Sequence, residues 1–101
     1  VLDLESGVPA AGMQVTLFRL SEAGEAEVVS EAETDEDGRI ASLIEPLEAG
    51  DYQLLFDVAS YRGDDAFFQA AAVAIHVADA SRGCHVPLLL SPYGLSTYRG
   101  S

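Results

Sequence analysis

The sequence contains no lysine, and its five basic residues are all arginines, set against 17 acidic residues. The resulting net charge of -12 repels nucleic acid and anionic membrane surfaces at long range, so we expect neither as a partner. Many of the acids lie between Glu22 and Glu48, a stretch that we interpret as a solvated face of loops and edge strands. In so acidic a chain, an arginine must either be paired or be available to an anion.

Cysteine and long apolar runs are also scarce. Cys84 is the single cysteine, which excludes an internal disulfide, and one cysteine with two histidines is too few for a closed zinc site. The lone cysteine favours a reducing compartment, so we expect a cytoplasmic protein. Cys84 adjoins His85, but neighbours on a strand point to opposite faces, which makes them a poor nucleophile and base pair. No apolar run approaches the ~18 residues that span a bilayer, and no secretory leader is visible, so we expect a soluble protein.

What the sequence does contain is a series of short apolar segments separated by turn residues. Alternation over such short stretches predicts β-strands, and their number and spacing predict an all-β antiparallel sandwich in a single domain, residues 1–101. The predicted strands are residues 1–4, 13–20, 26–32, 51–58, 71–78, 85–91 and 95–101, with a short eighth strand near residues 40–43. One or two helical turns are predicted over residues 57–62, after the segment 51–58, with Asp57 as the cap.

The predicted strand 85–91 has apolar side chains on both faces. Its core positions are Val86, Leu88 and Leu90, and the opposite positions are His85, Pro87, Leu89 and Ser91. A mostly apolar outer face predicts burial against something outside the monomer, and a second copy of the chain is the simplest candidate. A site on that face would be shared between subunits. Strand 71–78 shows ordinary alternation instead, so we expect its His76 to be a surface histidine.

Two side chains have the chemistry to act on a small molecule. His85 exchanges a proton near neutral pH, although a lone strand histidine is more often structural. Arg39 follows the Asp37-Gly38 turn, so its guanidinium leaves a rigid backbone and can clamp a planar oxo or imide group with two parallel hydrogen bonds. The alternative for Arg39 is a surface ion pair with Asp35 or Glu36.

The end of the chain reads His85-Val-Pro-Leu-Leu-Leu-Ser-Pro, then a Pro92-Tyr93-Gly94 turn, then Tyr98-Arg99-Gly100-Ser101. This ending resembles the C-terminal signature of the 5-hydroxyisourate hydrolases, the transthyretin-like enzymes of urate breakdown. The resemblance covers nearly the whole chain. Its other blocks are the first strand and turn from Val1, the Asp-Gly-Arg turn at Arg39, the strand Gly50-Asp-Tyr-Gln-Leu-Leu-Phe-Asp57, and Phe67-Phe68.

Some positions depart from that family's pattern. Cys84 and Leu95 stand where the family often has aromatic residues. The family also places an active-site histidine immediately before its Val-Leu-Asp, a position that lies before Val1 and outside this sequence.

The resemblance implies a transthyretin-like sandwich, a homotetramer with sites at the subunit interface, and hydrolysis of 5-hydroxyisourate without metal or organic cofactor. The catalytic residues that it implies are His85, Arg39 and Ser101. The implied substrate-binding residues are Arg39, His85, Tyr98, Arg99, Gly100 and Ser101. A non-catalytic carrier of transthyretin type is the alternative on the same fold. An interaction module or a decayed enzyme is a third hypothesis.

Overall fold

Two four-stranded sheets and one short helix make up the described part of the chain, which in the computed structural model is residues 1–39, 48–78 and 86–98. The elements in chain order are β1 (Leu2–Asp3), β2 (Val8–Pro9), β3 (Gln14–Leu20), β4 (Ala26–Glu33), β5 (Gly50–Asp57), α1 (Val58–Arg62), β6 (Ala71–Val77), β7 (Leu88–Ser91) and β8 (Gly94–Thr97). The predicted all-β sandwich with one short helix is confirmed.

The strand order is β2-β1-β7-β8 in the first sheet and β4-β3-β5-β6 in the second. One pair of strands departs from the predicted antiparallel arrangement: β1 pairs with β7 in parallel, with Leu2 opposite Leu89. Parallel pairing requires a crossover rather than a hairpin, and here the whole second sheet lies between the two strands along the chain. The starts of β1 and β7 therefore lie at the same end of the first sheet.

The core is built from the alternating inner faces of both sheets. Val15 and Leu17 on β3 and Leu88 and Leu90 on β7 are all at most 2% exposed. Burying side chains of this size contributes about 1.5 to 3 kcal/mol each, which makes this cluster the main support of the sandwich. Val86 packs against the same cluster, so the predicted inner face of the 85–91 segment is confirmed.

The helix begins where the sequence predicts. The carboxylate of Asp57 accepts a hydrogen bond from the amide of Ser60 at 3.2 Å, which satisfies one of the free N–H groups of the first turn. The helix ends at Gly63, whose positive φ of 101° suits a residue without a side chain. Ser60 Oγ also accepts from the amide of Gln14 at 3.0 Å and so ties the helix to β3.

Some boundaries differ from the prediction. β2 lies between two predicted strands, where none was predicted. The strand predicted to begin at residue 85 begins at Leu88, and the strand predicted to reach residue 101 ends at Thr97. The short strand expected at residues 40–43 lies outside the described residues.

His76 is an exposed histidine as predicted, and its Nδ1 lies 2.7 Å from the carboxylate of Asp51 on β5. Across the described ranges, no helix is long and apolar enough to cross a membrane.

Candidate active site

Arg39 sits at the end of a tight turn that is held by one carboxylate. Oδ1 of Asp35 accepts from the amide of Asp37 at 2.8 Å and from the amide of Arg39 at 3.0 Å. Two backbone bonds close the same turn, from the amide of Gly38 to the carbonyl oxygen of Asp35 and from the amide of Asp35 to the carbonyl oxygen of Arg39, each at 2.9 Å. The backbone of Arg39 is thus fixed at both its N–H and its C=O.

Gly38 places this turn against the start of the chain. It is buried with a φ of 70°, and a Cβ at this position would collide with the carbonyl oxygen of Val1. The backbone nitrogen of Val1 donates to the carbonyl oxygen of Gly38. Arg39, the next residue after Gly38, therefore lies close to Val1.

The guanidinium of Arg39 has a different setting from the other described arginines. Arg19 pairs with Glu48 at 3.0 Å, and Arg62 pairs with Asp3 at 2.9 Å and Glu5 at 3.0 Å. Arg39 is exposed and forms no ion pair with any residue in the described ranges.

The predicted alternative of a surface pair between Arg39 and Asp35 or Glu36 is therefore not formed. The carboxylate of Asp35 accepts hydrogen bonds from backbone amides instead. Among the described arginines, Arg39 is the one whose charge is available to an anionic or oxo ligand.

A second polar cluster, which the sequence did not single out, joins β1 to the helix. Asp3 is 6% exposed and accepts from Tyr61 Oη at 2.8 Å, from Arg62 at 2.9 Å and from the amide of Glu5 at 3.0 Å. Burial opposes ionisation of this carboxyl, but the hydrogen bonds and the charge of Arg62 outweigh it and hold the pKa of Asp3 below its ordinary value. The bond to Asp3, followed by burial, raises the pKa of Tyr61. Both carboxylate oxygens of Asp3 accept hydrogen bonds, and those from Tyr61 and Arg62 tie β1 to the helix.

The site segments converge at one end of the first sheet. Leu88 on β7 is opposite Thr97 on β8, and the parallel register of β1 with β7 brings Val1 to the same row. Thr97 Oγ1 donates to the carbonyl oxygen of Pro87 at 2.7 Å and ties the end of β8 to the residues entering β7. Tyr98 continues beyond this row and is 56% exposed. Tyr98, Val1 with its neighbour Arg39, and the segment leading into β7 therefore meet at one end of the sheet.

The remaining predicted site residues, His85, Arg99, Gly100 and Ser101, lie outside the described residues, as does Cys84. Within the part of the chain that the structure describes, no three His, Cys, Asp or Glu side chains are grouped as metal ligands would be. Sequence reasoning missed Asp3, whose place between Leu2 and Leu4 in an apolar strand was the available signal. It also treated Asp35 only as an ion-pair partner.

Known proteins match the chain over its whole length. The profile of the HIUase/Transthyretin family matches residues 1–100. The 5-hydroxyisourate hydrolase of Halalkalibacterium halodurans is 40% identical over 111 residues, which cover 100% of this chain and 93% of that protein. The structure of Klebsiella pneumoniae 5-hydroxyisourate hydrolase superposes with a TM-score of 0.83 at 35% identity, covering 99% of this chain and 93% of the other. Sea bream transthyretin, solved in complex with thyroxine, gives a TM-score of 0.88 at 28% identity, covering 98% and 89%.

Proposed function

The chain belongs to the HIUase/Transthyretin family, and we propose that it hydrolyses 5-hydroxyisourate to 2-oxo-4-hydroxy-4-carboxy-5-ureidoimidazoline in urate degradation. The observation that carries this proposal is Arg39, an exposed guanidinium on a fixed backbone, with no acidic partner among the described residues. It lies at the sheet end where Val1 and Tyr98 also lie. A carrier of apolar ligands has no use for such a charge at its binding surface.

The reaction opens a cyclic amide in the six-membered ring of the substrate. A water oxygen forms a bond to the carbonyl carbon, the C–N bond breaks, and a proton that comes from the water ends on the departing ring nitrogen. Negative charge develops on the carbonyl oxygen during the attack. In this proposal Arg39 binds the planar substrate through its two parallel N–H groups and stabilises that charge.

Proton transfer is assigned to His85, which directly precedes Val86 in the sequence, together with the histidine that family members carry before the equivalent of Val1. Ser101 and Tyr98 orient substrate or water through their hydroxyl groups. Arg99 anchors the tail, and Gly100 gives it a backbone link without a side chain. These roles rest on the match of the ending of this chain to the hydrolase signature.

We further propose a homotetramer with sites at the subunit interface, formed by one domain of residues 1–101. Two observations support it. Among the described strands, β6 and β8 each lie at the edge of a sheet, and Phe67 and Tyr93 are 67% and 81% exposed with their rings 5.8 Å apart. Edge strands and exposed aromatic rings favour pairing with a second copy. The single cysteine supports a reducing, cytoplasmic location.

The test of the catalytic assignment is His85→Asn, with His76→Asn as the matched control. His76 is an exposed surface histidine on β6, so its replacement should leave turnover of 5-hydroxyisourate unchanged. Loss of a general acid or base lowers the rate by about 10²- to 10⁴-fold, and we expect such a loss for His85→Asn with an unchanged circular dichroism spectrum. Retained activity in that variant would refute the role of His85. A folded wild-type oligomer without any activity would instead favour a carrier.

A further inference from the structure

A long, exposed arginine side chain binds a ligand more tightly when the backbone that carries it is fixed. Each freely rotating bond that must be ordered on binding costs affinity, and a mobile backbone adds to that cost. The backbone of Arg39 belongs to the turn of residues 35–39. The groups that hold this turn therefore influence how Arg39 meets its ligand.

Asp35 is the residue on which this turn depends. Its carboxylate holds the amides of Asp37 and Arg39, while its own N–H and C=O bond to the carbonyl of Arg39 and the amide of Gly38. Four hydrogen bonds within a five-residue turn thus involve Asp35. On the basis of these contacts, and resting on the hydrolase function proposed above, we propose that Asp35 is a positioning residue for Arg39.

The same geometry keeps the carboxylate away from the guanidinium. Oδ1 is engaged by two amides at 3.0 Å or less, and Arg39 forms no ion pair with Asp35. The negative charge lies near Arg39 without occupying the N–H groups that a ligand would use. A direct ion pair would have to be broken each time the substrate binds, and this arrangement avoids that competition.

The turn is anchored to the rest of the molecule independently of Asp35. Thr34, the preceding residue, is buried, and its hydroxyl donates to the carbonyl of Ala10 at 2.7 Å and accepts from the amide of Met13 at 2.9 Å. Gly38 bonds to Val1 on the other side of the turn. Because Asp35 itself is exposed, its replacement should loosen the turn locally and leave the sandwich folded.

Three variants of the full-length protein separate position from charge. Asp35→Ala removes both the acceptor oxygen and the charge, Asp35→Asn keeps an acceptor oxygen and removes the charge, and Asp37→Ala removes a charge from the same turn. The side chain of Asp37 forms no hydrogen bond or ion pair with another described residue, so it is the matched control.

The readouts are kcat and KM for 5-hydroxyisourate, with the melting temperature of each variant. We expect Asp35→Ala to raise KM by about 10-fold or more, and to lower the melting temperature by about 5 to 10 °C without unfolding the protein at assay temperature, since two exposed hydrogen bonds are lost. Asp35→Asn should restore KM to within about 3-fold of wild type, because an amide oxygen accepts the same two bonds. Asp37→Ala should match wild type.

Each contrary result has a distinct meaning. Wild-type kinetics for Asp35→Ala would overturn the positioning role, and an Asp35→Asn variant as impaired as Asp35→Ala would replace it with an effect of charge. In an Arg39→Ala background, Asp35→Ala should cause no further rise in KM; a further rise would show that Asp35 does not act through Arg39. A wild-type protein without hydrolase activity would overturn the proposed function itself, and the positioning role with it.

Discussion

Arg62 and Arg39 are two arginines of one acidic chain with opposite surroundings. The side chain of Arg62 is 15% exposed and lies between Asp3 and Glu5, at 2.9 and 3.0 Å. Arg39 is exposed, its backbone is fixed by Asp35, and no described acid pairs with its guanidinium. Arg62 joins β1 to the helix, whereas Arg39 is unpaired among the described residues, as its proposed contact with the substrate requires.

The difference follows from what water does for each charge. A guanidinium taken out of water must be paired, because an uncompensated buried charge costs several kcal/mol. An exposed guanidinium is hydrated and needs no partner, so leaving it unpaired costs the fold little. Asp35 is close enough in sequence to neutralise Arg39, but its carboxylate accepts hydrogen bonds from two backbone amides and forms no ion pair with the guanidinium.

The largest expected effect is on catalysis, from Arg39→Gln. This variant removes the charge and the forked N–H pair, and we expect kcat/KM for 5-hydroxyisourate to fall by about 10²- to 10³-fold, the usual loss for one charge-stabilising donor. The melting temperature should stay within about 2 °C of wild type, because no ion pair among the described residues is lost. Arg62→Met is the control: at a temperature well below its melting point it should keep kcat/KM within about 3-fold. If Arg39→Gln unfolds the protein, or Arg62→Met removes activity without unfolding it, the comparison is wrong.

The second-largest expected effect is a loss of stability when the Asp3–Arg62 pair is broken. Arg62→Met leaves the buried carboxylate of Asp3 without its cation and should lower the free energy of unfolding by about 3 kcal/mol. Asp3→Asn leaves Arg62 paired with Glu5 alone and should cost less, about 1.5 to 3 kcal/mol. The double variant should lose less than the sum of the two, with a coupling of about 1 to 3 kcal/mol. Urea unfolding followed by circular dichroism measures all four proteins. Strictly additive losses would mean that the two side chains do not interact in solution.

A smaller effect is expected on how the stability of the fold depends on pH in acid. The folded-state pKa of Asp3 lies below its ordinary value of 3.8, so the ionised carboxylate stabilises the fold. This contribution is complete above the ordinary pKa and is lost as the pH falls from there through the lower folded-state value.

Asp3→Asn should therefore flatten the decline in stability below about pH 4. The measurement is the melting temperature of this variant and of wild type between pH 2 and 6, at about constant ionic strength. Parallel curves for Asp3→Asn and wild type would contradict the assignment.

Local patterns carried most of the fold. Alternation predicted the inner face formed by Val86, Leu88 and Leu90, and Asp57 predicted the start of the helix, because both signals arise between residues close in sequence. The parallel ladder between β1 and β7 had no such signal. Its partners, such as Leu2 and Leu89, are far apart along the chain, and a two-residue strand has no detectable period.

The candidate site was predicted in part for the same reason. The turn before Arg39 was visible in Asp37-Gly38, but the sequence could not tell whether Asp35 would contact the guanidinium or the backbone. The partner of Arg62 was equally hidden, since Asp3 lies 59 residues away. Tertiary contacts between residues far apart in sequence decide which arginine is paired. These contacts are known only once the arrangement of the strands is known.

The most direct test of the account is the rate at which 5-hydroxyisourate, generated in situ from urate and urate oxidase, disappears with and without the full-length protein. The account predicts a clear acceleration by wild type that is lost in Arg39→Gln and retained in Arg62→Met. No acceleration by folded wild-type protein, or equal acceleration by Arg39→Gln, would contradict it.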